Sequence, residues 1–171
     1  MTPIIPIITI VGKSGTGKTT LIEKLLRELK KRKYKVATIK HTHSFEMDKP
    51  GKDTWRHAQA GADTVIISGH NKIAMIKKTE QELELDQLMK LSPDVDLFVV
   101  EGFKHSGKPK IEVFRRKHCL KLLSPPEQLI AIASDVHLDV QGVPVLDIND
   151  AKGLVDIIEE KIIKKGECRP S

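Results

Sequence analysis

Only two cysteines occur in the 171 residues, Cys119 and Cys168. They stand far apart and complete no metal or redox motif. That excludes a disulfide framework and leaves two reduced thiols as the expectation. Aromatic residues are scarce, at 4%, and no basic segment interleaves them as base-stacking platforms. The net charge of +6 is therefore read as favouring an anionic ligand or partner and not as a nucleic-acid surface. Long apolar runs are missing too, so no membrane-spanning segment is expected. The apolar start, Pro3 to Val11, has no positive leading segment and no cleavage site, and it runs straight into glycines. A cytoplasmic protein with neither membrane nor nucleic acid as partner is expected.

The apolar fraction of 39% and charged fraction of 30% suit a soluble globular chain with a substantial core, and one domain over 1–171 is expected. Ile7 to Val11 is β-branched throughout and reads as a buried strand. Leu21, Ile22, Leu25, Leu26 and Leu29 then recur at helical spacing, and Lys30 to Lys33 close that helix, where cations complement its dipole. Further strands are expected at Val36–Lys40, Thr64–Ser68, Asn71–Lys77, Leu97–Val100, Lys110–Phe114, Leu129–Ala133 and Val143–Leu146. Thr64–Ser68 and Asn71–Lys77 read as a hairpin tight at Gly69-His70. Helices are expected from Asp53 or Thr54 to Gly61, over Thr79–Leu91, and from Asn149 or Asp150 until fraying at Gly166. Strands alternating with helices predict an α/β, three-layer fold of the P-loop NTPase type, a mostly parallel sheet with helices on both faces.

Gly12-Lys13-Ser14-Gly15-Thr16-Gly17-Lys18-Thr19 matches G-x-x-x-x-G-K-[ST] at every fixed position, after a strand and before a helix. Glycines let the backbone curl so that successive N–H groups point at phosphate oxygens, and the helix N-terminus adds partial positive charge. These residues and Thr20 are assigned to a purine nucleoside triphosphate. Lys18 is expected at the β/γ-phosphates and the Thr19 hydroxyl on Mg²⁺. Lys13 reads as a solvated loop lysine. The alternative is reach into a partner subunit's nucleotide.

A Mg²⁺–phosphate site needs a further acid near the carboxyl end of a neighbouring strand. Asp96 opens the Leu97–Val100 strand and lies at the wrong end, whereas Glu101 closes it. Glu101 is therefore assigned to the metal and to catalysis, with direct contact and contact through water both open, and Gly102 lets the chain turn away. The segment from Lys40 through His41, His43, Asp48, Pro50, Gly51, Lys52 and Asp53 emerges from another strand's carboxyl end. His41-x-His43 is a weak signal for a metal pair. Asp53 reads either as a catalytic residue or as a helix N-cap. No arginine finger or water-positioning glutamine stands out.

These residues together resemble the MobB family of molybdopterin-guanine dinucleotide biosynthesis adaptor proteins. The likeness rests on Gly12 to Leu21, on Lys40-His41 with Asp48-x-Pro50-Gly51-Lys52-Asp53 and Ala60-Gly61-Ala62, on Glu101-Gly102-Phe103-Lys104, and on Pro109-Lys110-Ile111-Glu112. It implies a GTP-binding homodimer with weak GTPase activity that assists the MobA-type guanylyltransferase, the enzyme joining GMP to molybdopterin. It also implies that Lys40, Asp53 and Glu101 line the nucleotide or cofactor site, with molybdopterin a further possible ligand. Guanine preference implies a base-reading acid. Asp135 of Ala133-Ser134-Asp135 is the candidate, with a plain loop acid the alternative, since the fuller Asn-Lys-x-Asp signature is missing. The rival readings are a P-loop small-molecule kinase and a metallochaperone-type ATPase switch.

Overall fold

The computed structural model describes residues 5–164. The Cys168 thiol and the fraying expected at Gly166 lie outside that range. Two compact units emerge, one of residues 1–41 and 85–171, the other of residues 42–84.

The larger unit is built on six strands: β1 (Ile7–Val11), β2 (Val36–Lys40), β5 (Leu97–Glu101), β6 (Lys110–Phe114), β7 (Leu129–Ser134) and β8 (Val145–Asp147). They lie in the order β2-β5-β1-β6-β7-β8, and every pairing is parallel. Strand alternation divides the apolar residues between two faces. Ile8, Ile10, Leu97, Val99, Ile111, Val113, Ala131 and Ala133 pack with Leu21, Leu25 and Leu29 of α1 (Lys18–Lys31) and with Leu154, Val155 and Ile158 of α4 (Ala151–Ile158). On the other face Phe98 and Val100 pack with Leu85 of α3 (Leu85–Met89). Phe114, Leu129 and Ile132 pack there with Cys119 and Val143 from irregular segments. Helices thus stand on both faces, although one short helix covers little of the second.

That second face also buries polar groups, each with a partner. The Lys110 ammonium, fully buried, donates to the Lys108 carbonyl (2.9 Å) and to Gln128 Oε1 (2.8 Å). Burial pushes its pKa below the usual lysine range. Glu112 accepts from the backbone N–H groups of Leu123 (2.7 Å) and Ser124 (2.9 Å), fixing the chain before Pro125-Pro126.

The smaller unit holds α2 (Asp53–Gln59) and the antiparallel hairpin of β3 (Thr64–Ser68) and β4 (Ile73–Lys77). Gly69 N–H donates to the Lys72 carbonyl (2.9 Å). The pairing therefore runs past Gly69, and the tip is His70-Asn71, one residue later than the sequence suggests. The helix expected over Thr79–Leu91 shrinks to Leu85–Met89. Leu85, Leu88 and Met89 share one helical face, whereas Glu80 and Glu84 would repel at i,i+4 spacing and residues 79–84 offer no apolar stripe. Among the described residues no helix is long and apolar enough to cross a membrane.

Arg32 ties the end of α1 to α4 and the π-turn after it (Glu159–Ile163). Its guanidinium reaches Glu28 (3.1 Å), Asp156 (2.6 Å) and Glu159 (2.8 Å). Burial opposes its charge, but the hydrogen bonds it donates to Asp156, Glu28 and Glu159 outweigh that and hold its pKa above the ordinary range. The same hydrogen bond from Arg32 lowers the Glu28 pKa below its ordinary 4.5. A depressed carboxylate contributes stability above its unfolded pKa and loses it as pH falls through the folded value. Arg32→Met is accordingly expected to lower the thermal midpoint by roughly 2–4 °C at neutral pH. The gap to wild type should narrow as pH falls below the ordinary carboxylate value of 4.5, because protonating Glu28 removes its contribution from the wild type while the variant has already lost it. An equal gap at both pH values, read by thermal melts, would contradict this account.

Candidate nucleotide and metal site

The parallel sheet brings the carboxyl ends of β1, β2, β5 and β6 to one edge, and the site grows from them. Gly12 follows β1 with φ 148°. A Cβ there would meet the Val113 carbonyl oxygen at 2.7 Å, so no larger side chain fits between β1 and β6. The loop then closes on itself. The Lys13 carbonyl accepts from Thr16 Oγ1 (2.8 Å) and Lys18 Nζ (2.9 Å), and the Gly12 carbonyl accepts from Lys18 Nζ (3.0 Å). Gly17 adopts φ 93° as the cap of α1, and its carbonyl takes the helix's first bond, from Leu21 N–H (2.9 Å). The Thr16 side chain is buried and holds the loop's shape, while Lys13, Ser14 and Gly15 are exposed at its outer turn.

Glu101 ends β5, opposite Ile10 on one side and Lys40 on the other. Its carboxylate, 15% exposed, lies 3.1 Å from Thr19 Oγ1 and 3.6 Å from Lys40 Nζ. Thr19, Glu101 and Lys40 therefore meet at this edge of the sheet. The chain leaves abruptly after Glu101, since Gly102 (φ 99°) and Phe103 (φ 48°) are both left-handed. For Phe103 that conformation is strained, and strain of this kind concentrates at working sites. Its ring packs against His41, with centroids 4.8 Å apart. Asp96 sits at the opposite end of β5, where its carboxylate accepts from Lys35 N–H (2.7 Å).

The donors beside the loop suit Mg²⁺. They are a hydroxyl and a carboxylate, hard oxygen ligands too few to form a complete cage, and Mg²⁺ keeps several waters and binds phosphate oxygens. No group of three or more His, Cys, Asp and Glu side chains fit to hold a metal occurs among the described residues. Any Mg²⁺ here would take the rest of its shell from water or phosphate.

Asp53 lies in the smaller unit as the first residue of α2. The cap position belongs to Lys52, and no side chain caps the helix, so the N-cap reading of Asp53 does not hold. The organising acid of that segment is Asp48, whose Oδ1 accepts from Lys49 N–H (2.8 Å) and Thr54 Oγ1 (3.0 Å). Asp135 follows β7, and its Oδ1 accepts from Arg116 N–H (3.1 Å).

Sequence reasoning missed Arg115. It follows the last residue of β6, and its Nε donates to the Thr16 carbonyl at 2.9 Å. His118, in the same turn, has its ring over Gly15, with Cε1 3.7 Å from where a Cβ would stand. The signal was available, since the strand-end rule that selected Glu101 also selects the residue after Phe114.

A glycine-rich loop of the P-loop pattern between β1 and α1, on a parallel sheet with β1 central and an acid ending the next strand, defines an α/β protein with the fold of the P-loop NTPase class. Residues 7–135 match the family described as molybdopterin guanine dinucleotide synthesis protein B. The chain belongs to this MobB family, whose members include the adapter proteins of molybdopterin-guanine dinucleotide biosynthesis. It is 41% identical over 168 residues to the molybdopterin-guanine dinucleotide biosynthesis adapter protein of Escherichia coli K12, covering 94% of this chain and 95% of that protein. The adapter of the same name from Haemophilus influenzae is 39% identical over 158 residues, covering 91% and 88%. Among solved structures, that of Bacillus subtilis MobB superposes with a TM-score of 0.70 at 25% identity, covering 90% of this chain and 98% of that one. A crystal structure of molybdopterin-guanine biosynthesis protein B gives 0.69 at 27% identity, covering 90% and 97%.

Proposed function

We propose that this protein is a GTP- and Mg²⁺-binding adapter with weak GTPase activity, working as a homodimer with the guanylyltransferase that joins GMP to molybdopterin. The observation that carries the nucleotide reading is the meeting of Thr19 Oγ1 with the Glu101 carboxylate at 3.1 Å, beside a loop whose glycines admit phosphate oxygens. In this reading Lys18 meets the β/γ-phosphates, the backbone of residues 13–20 cradles them, and Thr19 and Glu101 hold Mg²⁺ directly or through water. Lys40, 3.6 Å from Glu101, holds that carboxylate in place. Slow hydrolysis suits a site to which a partner's residue has still to be added. The names of the relatives support the biosynthetic setting. The homodimer finds support on the hairpin, where Ile66, Ile73 and Met75 stand on one face at 63%, 74% and 47% exposure. Exposed apolar faces of this kind mark association surfaces.

Calorimetric titration with GTP and with ATP, each with Mg²⁺, is the test. Affinity for GTP should exceed that for ATP by tenfold or more, equivalent to about 1.4 kcal/mol, and the GTP-loaded protein should co-sediment with the guanylyltransferase. Equal affinity for both nucleotides would remove the guanine assignment, and failure to associate with or without GTP would remove the adapter role.

A further inference from the structure

We infer that Arg115 is a positioning residue for the phosphate loop, setting the peptide between Thr16 and Gly17 so that the Gly17 N–H faces bound phosphate. The inference rests on the nucleotide-binding reading above. In a trans peptide the carbonyl and the following N–H point in opposite directions. Arg115 Nε holds the Thr16 carbonyl at 2.9 Å, across 99 residues of chain. The Gly17 N–H is therefore turned away from Arg115. That carbonyl stands one residue before the first acceptor of α1, the Gly17 carbonyl. Without Arg115, the hinge between loop and helix depends on a glycine with wide rotational freedom.

Arg115 is itself well held. Its own carbonyl accepts from His118 N–H (2.9 Å) and Cys119 N–H (2.8 Å), closing a tight turn. Cys119 is buried against Phe114, Leu129, Ile132 and Val143, which anchors that turn in the core. Asp135 Oδ1 takes the Arg116 N–H at 3.1 Å and pins the turn to the end of β7. The guanidinium also passes 3.6 Å from the point where a Gly17 Cβ would stand, so it lies along the loop's backbone. Three strands thereby converge on one peptide group: β1 delivers the loop, β6 delivers Arg115, and β7 delivers the acid that holds Arg115's turn.

The test uses the whole protein with GTP and with inorganic tripolyphosphate, each with Mg²⁺. Arg115→Met keeps the aliphatic stem and removes the donor. It is expected to weaken both probes by tenfold or more, in line with loss of a charge-assisted hydrogen bond. Arg115→Lys, which restores a donor, should recover most of the affinity. Arg116→Met removes the same charge from the next, exposed residue and is the control. It should change either affinity by about twofold at most, as expected for a screened surface charge. In the ligand-free protein the Gly17 amide resonance should move in Arg115→Met and stay in place in Arg116→Met. Arg115→Met binding both probes like wild type, with an unmoved Gly17 resonance, would overturn the inference while leaving nucleotide binding intact. Wild type binding neither probe would instead remove the nucleotide reading and this inference with it. Should Arg115→Met fold poorly by circular dichroism, the shorter Arg115→Gln takes its place, a moved Gly17 resonance in the folded variant supporting the role and an unmoved one refuting it.

Discussion

Lys18→Ala is expected to weaken GTP·Mg²⁺ binding by about a hundredfold or more. A lysine ammonium on the β/γ-phosphates makes charge-assisted hydrogen bonds of about 1.5–3 kcal/mol each, and two of them span the stated range. The side chain has a second task that adds to the loss. Its Nζ donates to the Gly12 and Lys13 carbonyls at 3.0 and 2.9 Å, drawing the two ends of the loop together. Alanine removes the charge and that brace together while leaving α1 intact, because alanine is the best helix former. Calorimetric titration with GTP, alongside a thermal melt, reads the effect. An affinity within threefold of wild type, with the fold retained, would show that phosphate is held elsewhere.

The second large effect is expected at Glu101. Glu101→Gln keeps the shape and the ability to accept from Thr19 Oγ1, but removes the negative charge opposite the metal. Hydrolysis should fall by about a hundredfold, the lower end of what a positioned acid–base group supplies. GTP affinity should change by less than about tenfold, since on the proposed reading the loop backbone and Lys18 make most of the phosphate contacts. Lys40 loses its carboxylate partner at 3.6 Å and gains freedom with it, which is a further reason for turnover to suffer more than binding. Single-turnover hydrolysis measured beside equilibrium binding separates the two. Unchanged turnover would remove Glu101 from the chemistry.

Both predictions draw on residues that local sequence made visible. The phosphate loop was readable because its chemistry is confined to eight consecutive positions with a strand before and a helix after. Glu101 was readable because a short apolar strand has two ends, and parallel sheets bind ligands at only one of them. Asp96 lies at the other end, tied to Lys35. Helix length was harder. Residues 79–84 carry helix-forming side chains, yet α3 begins only at Leu85, where burial against Phe98 and Val100 starts. Propensity without an apolar stripe did not make a helix there. The N-cap reading of Asp53 failed for a similar reason. Either acid can serve a turn or a helix start, and only coordinates show that Asp48 holds Thr54 while Asp53 caps nothing.

By itself the sequence determined the strands, the P-loop, the acid at the end of β5 and the family likeness. Each is written in neighbouring residues and follows from periodicity or from backbone geometry. Tertiary structure alone decided that Thr19, Lys40 and Glu101 touch, that Lys110 and Glu112 are buried with partners, and that Arg115 reaches the loop from 99 positions away. Those facts depend on which strands lie side by side. In a parallel sheet that order is set by crossovers and packing, over separations at which no local pattern in the chain survives.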